Sequence, residues 1–222
     1  MKLIHFWFCP ASDRAHLALG YKRVPYDLVV PDYDEDALFF ELGIARRAPV
    51  VCWPDGRIET DPVTLFAELD RRYAQPSLLE PLPAAQWQAV LDWRTRVADL
   101  LDRLHAPVKP AYRGIGDDGG HLAAYKASVH ARWGMSVEEL ANDRYAAFAQ
   151  LDRMTRFREL GGFLQAHRFY AGVPSAADIL MTADLFPLQL LDGVTLPIDL
   201  MYYFERVQEA CGVDLRAGLL AG

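Results

Sequence analysis

The sequence predicts an α/β domain at residues 1–75 followed by an all-helical domain at residues 84–222. Strand-like apolar runs alternate with helical patterns in the first 75 residues, and no strand signal follows them. The segment between the two parts, residues 74–83, contains three prolines and is typical of a connector. The chain is therefore expected to fold as two parts of different class joined by a short linker.

Each element of the first half follows from a local pattern. The apolar run at residues 2–8 predicts a strand, and Gly20 ends the helical pattern that comes next. A turn at residues 54–56 predicts a hairpin. Asp61 and Pro62 suit the N-cap and the first position of a helix. In chain order the predicted elements are a strand at 2–8, a helix at 11–20, a strand at 26–30, a helix at 35–42 capped by Asp34, strands at 49–53 and 57–59, and a helix at 62–73.

The order β-α-β-α-β-β-α is typical of a thioredoxin-like domain. In the second half the apolar residues recur at helical spacing throughout. Ser175 and Asp178, three residues apart and just before an apolar run, predict a capping box at a helix start. The predicted helices lie at 84–104, 121–133, 137–160, 176–190 and 198–210, with a loop at 107–120.

Composition excludes several classes of protein. Hydrophobic residues make up 52% of the chain and charged residues 24%, which is ordinary for a globular protein with a sizeable core. The net charge of −7 and the absence of a basic stripe argue against nucleic-acid binding. No apolar run approaches the ~20 residues of a membrane span, and no signal peptide is evident. Three scattered cysteines fit neither a disulfide framework nor a zinc site, so a cytoplasmic location is expected.

Cys9 is the residue most suggestive of chemistry. It lies between the first predicted strand and the first predicted helix, and Pro10 suits the first helical position. A helix N-terminus carries a partial positive charge and free N–H groups, which stabilise a thiolate relative to a thiol. Two interpretations remain open at this point: Cys9 is a reactive nucleophile, or it is an inert buried thiol.

A proline at the entrance of the third strand is the second informative feature. Pro49 lacks the N–H that a strand interior needs, so it suits a strand start. We expect the Ala48–Pro49 bond to be cis and the backbone of Ala48 to lie beside Cys9. An extended peptide would then pair with Ala48 by strand addition. The alternative is a trans proline in a surface loop.

Charged and polar residues flank the same predicted pocket. Arg46 and Arg47 precede Pro49, where a guanidinium can bind a carboxylate. Glu59 and Thr60 lie where the fourth strand meets the next helix, and such a junction can hold a ligand that has both an ammonium and a carboxylate. Glutathione combines these groups with a peptide bond and a second carboxylate. The alternative is that the arginines are solvated and that Glu59 and Thr60 only belong to a helix cap.

These residues resemble those of the glutathione transferase superfamily, and the resemblance covers nearly the whole chain. The segment from Phe8 to Arg14 is similar to the active-site motif of the omega-class and dehydroascorbate-reductase types, which use a cysteine. The first half also resembles the two-domain glutaredoxins. The other matching segments are Ala48-Pro49-Val50-Val51, Glu59-Thr60 with threonine for serine, and the stretch Phe169–Ile179.

The resemblance implies a glutathione transferase fold and a glutathione-dependent enzyme with thiol transferase activity. It implies that glutathione is the co-substrate and that a small or glutathionylated acceptor binds between the domains. No metal, nucleic acid or membrane is implied, and a homodimer is among the assemblies it allows. The residues that it assigns are Cys9 as the catalytic nucleophile, Pro10, Ser12 and Arg14 as support on the first helix, Arg46, Arg47, Ala48, Pro49, Glu59 and Thr60 as glutathione ligands, and Ser175 and Asp178 as a structural capping box.

Three departures from the family pattern qualify this prediction. The loop at residues 42–47 differs from the usual one, Asp61 adds a negative charge beside Thr60, and Ser12 replaces the second cysteine of a dithiol motif. With one sulfur, a monothiol route is expected. Two rival functions stay open: a conjugating transferase in which Cys9 is only a neighbour, and a non-catalytic binding or regulatory protein.

Overall fold

A computed structural model describes residues 1–221, so Gly222 lies outside the described part. The first half contains a four-stranded mixed sheet with the order β2-β1-β3-β4. The strands β1 and β2 pair in parallel, whereas β3 pairs antiparallel with both β1 and β4. This arrangement is the predicted thioredoxin-like sheet. The strands are β1 (Lys2–Ile4), β2 (Asp27–Val29), β3 (Val50–Cys52) and β4 (Ile58–Glu59).

The helices of this half are α1 (Pro10–Tyr21), α2 (Ala37–Glu41) and α3 (Pro62–Arg72). The first strand ends earlier than the predicted Phe8, because the backbone N–H of Cys9 bonds to the Phe6 carbonyl at 3.0 Å and closes a turn. The N-cap of α2 is Asp36 and not the predicted Asp34.

The second half is helical, as predicted. Its helices are α4 (Ala84–His105), α5 (Gly119–Trp133), α6 (Val137–Asn142), α7 (Arg144–Thr155), α8 (Phe157–His167), α9 (Ala176–Leu185) and α10 (Ile198–Cys211). Short 3-10 helices lie at Lys109–Ala111 and Phe186–Leu190. Within residues 1–221, no helix has the length and apolar character needed to cross a membrane.

The prediction of one helix at residues 137–160 is wrong, because three helices occupy residues 137–167. The helix α7 ends where Arg156 adopts a left-handed backbone with φ of 56°. The carboxylate of Asp152 then accepts the N–H of Phe157 at 3.1 Å and helps to start α8. The apolar spacing continues across this break, so periodicity alone did not reveal it.

The two halves share one hydrophobic core. Helix α1 packs against α3 on one side and against α9 and α10 on the other. Leu17, Phe66, Leu180 and Phe204, one from each of these helices, are fully buried in the same cluster. Gly20 allows the close approach of α1 to α10, since a Cβ there would lie 2.3 Å from the carbonyl oxygen of Cys211. The helical half therefore fixes the position of the helix that follows Cys9.

Candidate active site

Cys9 is the N-cap residue of α1, with extended backbone dihedrals of −117° and 105° and with Pro10 at the first helical position. No side chain in the described chain caps this helix. The Cys9 side chain is half-buried. Because the first N–H groups of a helix have no partner within it, the start of α1 offers donors and a partial positive charge to an anion at Cys9.

Ala48 and Cys9 border the same apolar cluster although 39 positions separate them in the sequence. The cluster is formed by Ile4, Phe6, Phe39 and Val50. The Ala48–Pro49 peptide bond is cis, and Pro49 is buried at the entrance of β3. The fold therefore brings together two of the features that the sequence pointed to.

Ser12 is fully buried, and its Oγ accepts the backbone N–H of Phe6 at 3.3 Å. This bond ties the turn before Cys9 to the first turn of α1. The residue that replaces a second cysteine therefore serves as a structural acceptor.

Arg14 forms a buried ion pair with Asp184 of α9. Arg94 of α4 approaches the other carboxylate oxygen of Asp184, with its Nε at 3.1 Å from Oδ2. The charge of Arg14 is thus matched by a carboxylate, and the side chain joins the two halves of the molecule. Sequence reasoning gave no sign of Asp184, because its partners lie 170 and 90 positions away.

Two histidines near α1 are uncharged at neutral pH. Burial and the nearby His16 lower the pKa of His5 to about 3. Burial also lowers the pKa of His16 to about 4. The carboxyl of Asp13, 3.8 Å from Nε2 of His5, has a pKa raised well above its usual value, mainly by burial. Neither histidine therefore adds a positive charge that would favour a thiolate at Cys9.

The other two cysteines have environments that disfavour a thiolate. Cys211 is buried, and burial together with the nearby Asp178 strongly raises its pKa. Burial also raises the pKa of Cys52, on β3. Within residues 1–221, no three His, Cys, Asp or Glu side chains are grouped as metal ligands would be.

The adjacent residues Arg46 and Arg47 point in different directions. The Arg46 guanidinium lies 5.0 Å from the ring centre of Tyr33 and 5.7 Å from that of Phe6. Its Nε is 3.9 Å from a carboxylate oxygen of Asp36. Arg47 instead reaches the turn between β4 and α3, where its Nη1 lies 3.4 Å from Oγ1 of Thr60.

The turn between β4 and α3 holds the predicted pair Glu59 and Thr60. One oxygen of Glu59 accepts the backbone N–H groups of Thr60 and Asp61, both at 2.8 Å. Asp61 caps α3, accepting the N–H groups of Val63 at 2.6 Å and Thr64 at 2.9 Å. The predicted cap is confirmed, and Arg47, Glu59 and Thr60 lie together as expected.

Aromatic side chains that sequence reasoning did not select join the two halves beside Phe8. The rings of Phe8 and Tyr33 are 5.8 Å apart, and those of Tyr33 and Tyr125 are 6.1 Å apart. The hydroxyl of Tyr33 lies 3.3 Å from Oγ of Ser128 on α5. No local pattern marks these residues, since the seam exists only once α5 lies over the loop after β2.

A cavity of about 560 Å³ opens between the two halves. Cys9 is not among its lining residues, but Trp7, two positions earlier, is. Its polar lining includes Asp32, Arg113, Asp117 and His121.

Asp178 reaches back to the N–H of Ser175 at 2.9 Å, as predicted. It also accepts the Ser175 hydroxyl at 2.6 Å, the Tyr170 N–H at 2.7 Å and the Tyr203 hydroxyl at 2.8 Å. The side chain is fully buried, so it is a hub for the start of α9 as well as a cap.

Residues 3–77 match the family model described as the glutathione S-transferase N-terminal domain. Among solved structures, glutaredoxin 2 from Salmonella typhimurium in complex with glutathione is 18% identical with a TM-score of 0.79. That match covers 96% of this chain and 95% of that chain. The fold is that of the glutathione transferases.

Two fungal enzymes also share this glutathione transferase fold. A glutathione S-transferase of Ceriporiopsis subvermispora in complex with glutathione is 15% identical, with a TM-score of 0.72 and coverage of 95% of this chain and 96% of that chain. A glutathione transferase from Phanerochaete chrysosporium is 14% identical, with a TM-score of 0.70 and coverage of 96% and 98%. No curated protein matches the chain in a sequence search.

Proposed function

We propose that this protein is a glutathione-dependent transferase of the cysteine type, with Cys9 as the nucleophile of a thiol transferase reaction. The observation that carries the proposal is the start of α1. Cys9 is half-exposed at a helix N-terminus that no side chain caps, and it borders the same cluster as Ala48. A thiolate there is stabilised by the helix end, and a peptide paired with Ala48 would place its own sulfur nearby.

The neighbouring structures support glutathione as the co-substrate. The glutaredoxin 2 and the Ceriporiopsis transferase are both described in complex with glutathione, and each covers nearly all of this chain. In this chain Ala48 and Pro49 would hold the peptide part, whereas Arg46, Arg47, Glu59 and Thr60 supply the charged and polar groups for its ends. The acceptor would lie between the two halves, and the location would be cytoplasmic. The proposed domains are residues 1–75 and 84–222.

The proposed reaction is a pair of thiol-disulfide exchanges. The Cys9 thiolate attacks the glutathionyl sulfur of a glutathionylated acceptor, and the acceptor leaves as a thiolate that takes up a proton. A second glutathione, as its thiolate, then attacks the glutathionyl sulfur bound to Cys9. Glutathione disulfide forms and the Cys9 thiolate is regenerated, so two electrons pass from two glutathione molecules to one acceptor disulfide.

The test is glutathione-dependent turnover of a glutathionylated peptide. We expect Cys9→Ser to lower the rate by about 100-fold or more, because a serine hydroxyl is not activated at neutral pH. The matched variant Cys52→Ser should retain the wild-type rate. Equal rates for wild type and Cys9→Ser would contradict the proposal. Activity of both proteins toward an aryl halide, without peptide turnover, would assign a conjugating transferase instead.

A further inference from the structure

The turn between β4 and α3 has already used its backbone donors. The N–H groups of Thr60 and Asp61 point to Glu59, and those of Val63 and Thr64 point to Asp61. The sequence predicts that such free N–H groups at the start of α3 bind a ligand carboxylate. In the folded chain, two carboxylates of the protein occupy them.

The same turn offers acceptors to a cation. One oxygen each of Glu59 and Asp61 has no hydrogen-bond partner among residues 1–221. Both carboxylates border one short turn, so an ammonium placed there would be attracted to both. A carboxylate at the same place would instead be repelled, unless a cation of the protein stood beside it.

Arg47 supplies that cation. Its guanidinium contacts Oγ1 of Thr60, and it forms no salt bridge with any residue of the described chain. Arg46 is committed elsewhere, since it stacks over Tyr33 and approaches Asp36. The two neighbours therefore serve different ends of any ligand that crosses Ala48.

We propose that Arg47 is the residue that recognises the α-carboxylate of the γ-glutamyl end of glutathione, while Glu59 and Asp61 bind the ammonium on the same carbon. This inference rests on the proposed function, because it presumes that glutathione binds across Ala48. It assigns specificity for an α-amino acid end to a loop arginine and not to the N-terminus of α3. A guanidinium donates two parallel hydrogen bonds to a carboxylate and so selects for that group.

The test compares two ligands by calorimetric titration. The first is glutathione, and the second is 4-aminobutanoyl-cysteinylglycine, which lacks only the α-carboxylate of the γ-glutamyl residue. We expect wild type to bind glutathione about 10- to 100-fold more tightly than the analogue. Arg47→Gln should bind the two ligands equally, with the whole loss on the glutathione side, and Arg47→Lys should restore part of the preference.

Two variants serve as matched controls. Arg46→Gln should keep the wild-type ratio of the two affinities, whatever its effect on their absolute values. Arg96→Gln removes the same charge from an exposed position of α4 and should change neither affinity. Arg47 is exposed, so its variants are expected to fold, and a melting curve checks this.

The outcomes separate this inference from the proposed function. If Arg47→Gln keeps a preference for glutathione like that of wild type, Arg47 does not recognise the carboxylate and the inference fails alone. If Arg46→Gln and not Arg47→Gln abolishes the preference, the ligand runs in the opposite direction. If wild type binds neither ligand, the proposed function fails and takes the inference with it.

Discussion

Helices α1 and α9 differ in how their N-terminal ends are completed. At the start of α9, Asp178 accepts hydrogen bonds from Ser175, Tyr170 and Tyr203 in a fully buried site. At the start of α1, Cys9 occupies the N-cap and no side chain caps the helix. The closed end contributes stability, whereas the open end leaves donors for an anion that forms during a reaction. Stability and reactivity are therefore assigned to different helices of one core.

The largest expected effect comes from opening the closed end. Asp178→Ala leaves the Tyr203 hydroxyl and the Ser175 N–H without their acceptor in a buried site. We expect a loss of about 3–5 kcal/mol in the free energy of unfolding, measured by urea titration. Asp99→Ala, an exposed position of α4, should change it little. If Asp178→Ala were as stable as Asp99→Ala, the closed end would not contribute stability.

The open end should be visible in the reactivity of the three thiols. At pH 7, iodoacetamide is expected to label Cys9 about 100-fold faster than Cys52 or Cys211, because burial raises the pKa of the latter two. Peptide mapping by mass spectrometry after brief labelling gives the three rates. Faster labelling of Cys52 would place the reactive thiol on the sheet and not at the start of α1.

A smaller effect concerns the buried histidines around the open end. His5, His16 and His105 have folded-state pKa values of about 3, 4 and 4, below the unfolded value of about 6.5. The unfolded chain therefore binds more protons between pH 6.5 and about 4. Their contribution to stability is complete above pH 6.5 and is lost as the pH falls through that range.

His16→Gln tests this directly. The variant should lower the slope of unfolding free energy against pH by about 1 kcal/mol per pH unit near pH 5, because one proton uptake disappears. His130→Gln, an exposed residue of α5, should leave the slope unchanged. Equal slopes in wild type and His16→Gln would show that His16 is protonated in the folded protein at that pH.

Local patterns predicted the fold and the caps because their signals lie within a few residues. The turn at residues 54–56, the Asp61 cap and the return of Asp178 to Ser175 all follow from sequence spacing. Breaks inside apolar periodicity were missed, since the left-handed residue Arg156 carries no such signal. Element type was thus more predictable than element length.

The site was predictable in its residues but not in their pairing. Arg46 and Arg47 are adjacent in sequence, and only the folded chain shows that one lies over Tyr33 and the other beside Thr60. The same holds for Arg14, whose partner Asp184 comes from a distant helix. Side-chain direction depends on which elements become neighbours, and spacing along the chain does not contain that information.

The shared core of α1, α3, α9 and α10 has a practical consequence for ligand discovery. A chain whose two halves are packed around one core is expected to unfold as one cooperative unit. A ligand at 100 times its dissociation constant adds about 2.7 kcal/mol to such a unit wherever it binds. For a chain of this size each kcal/mol raises the melting temperature by about 2–4 °C. A single thermal-shift screen would therefore detect compounds that occupy the sheet-bearing half and compounds that occupy the helical half with equal sensitivity.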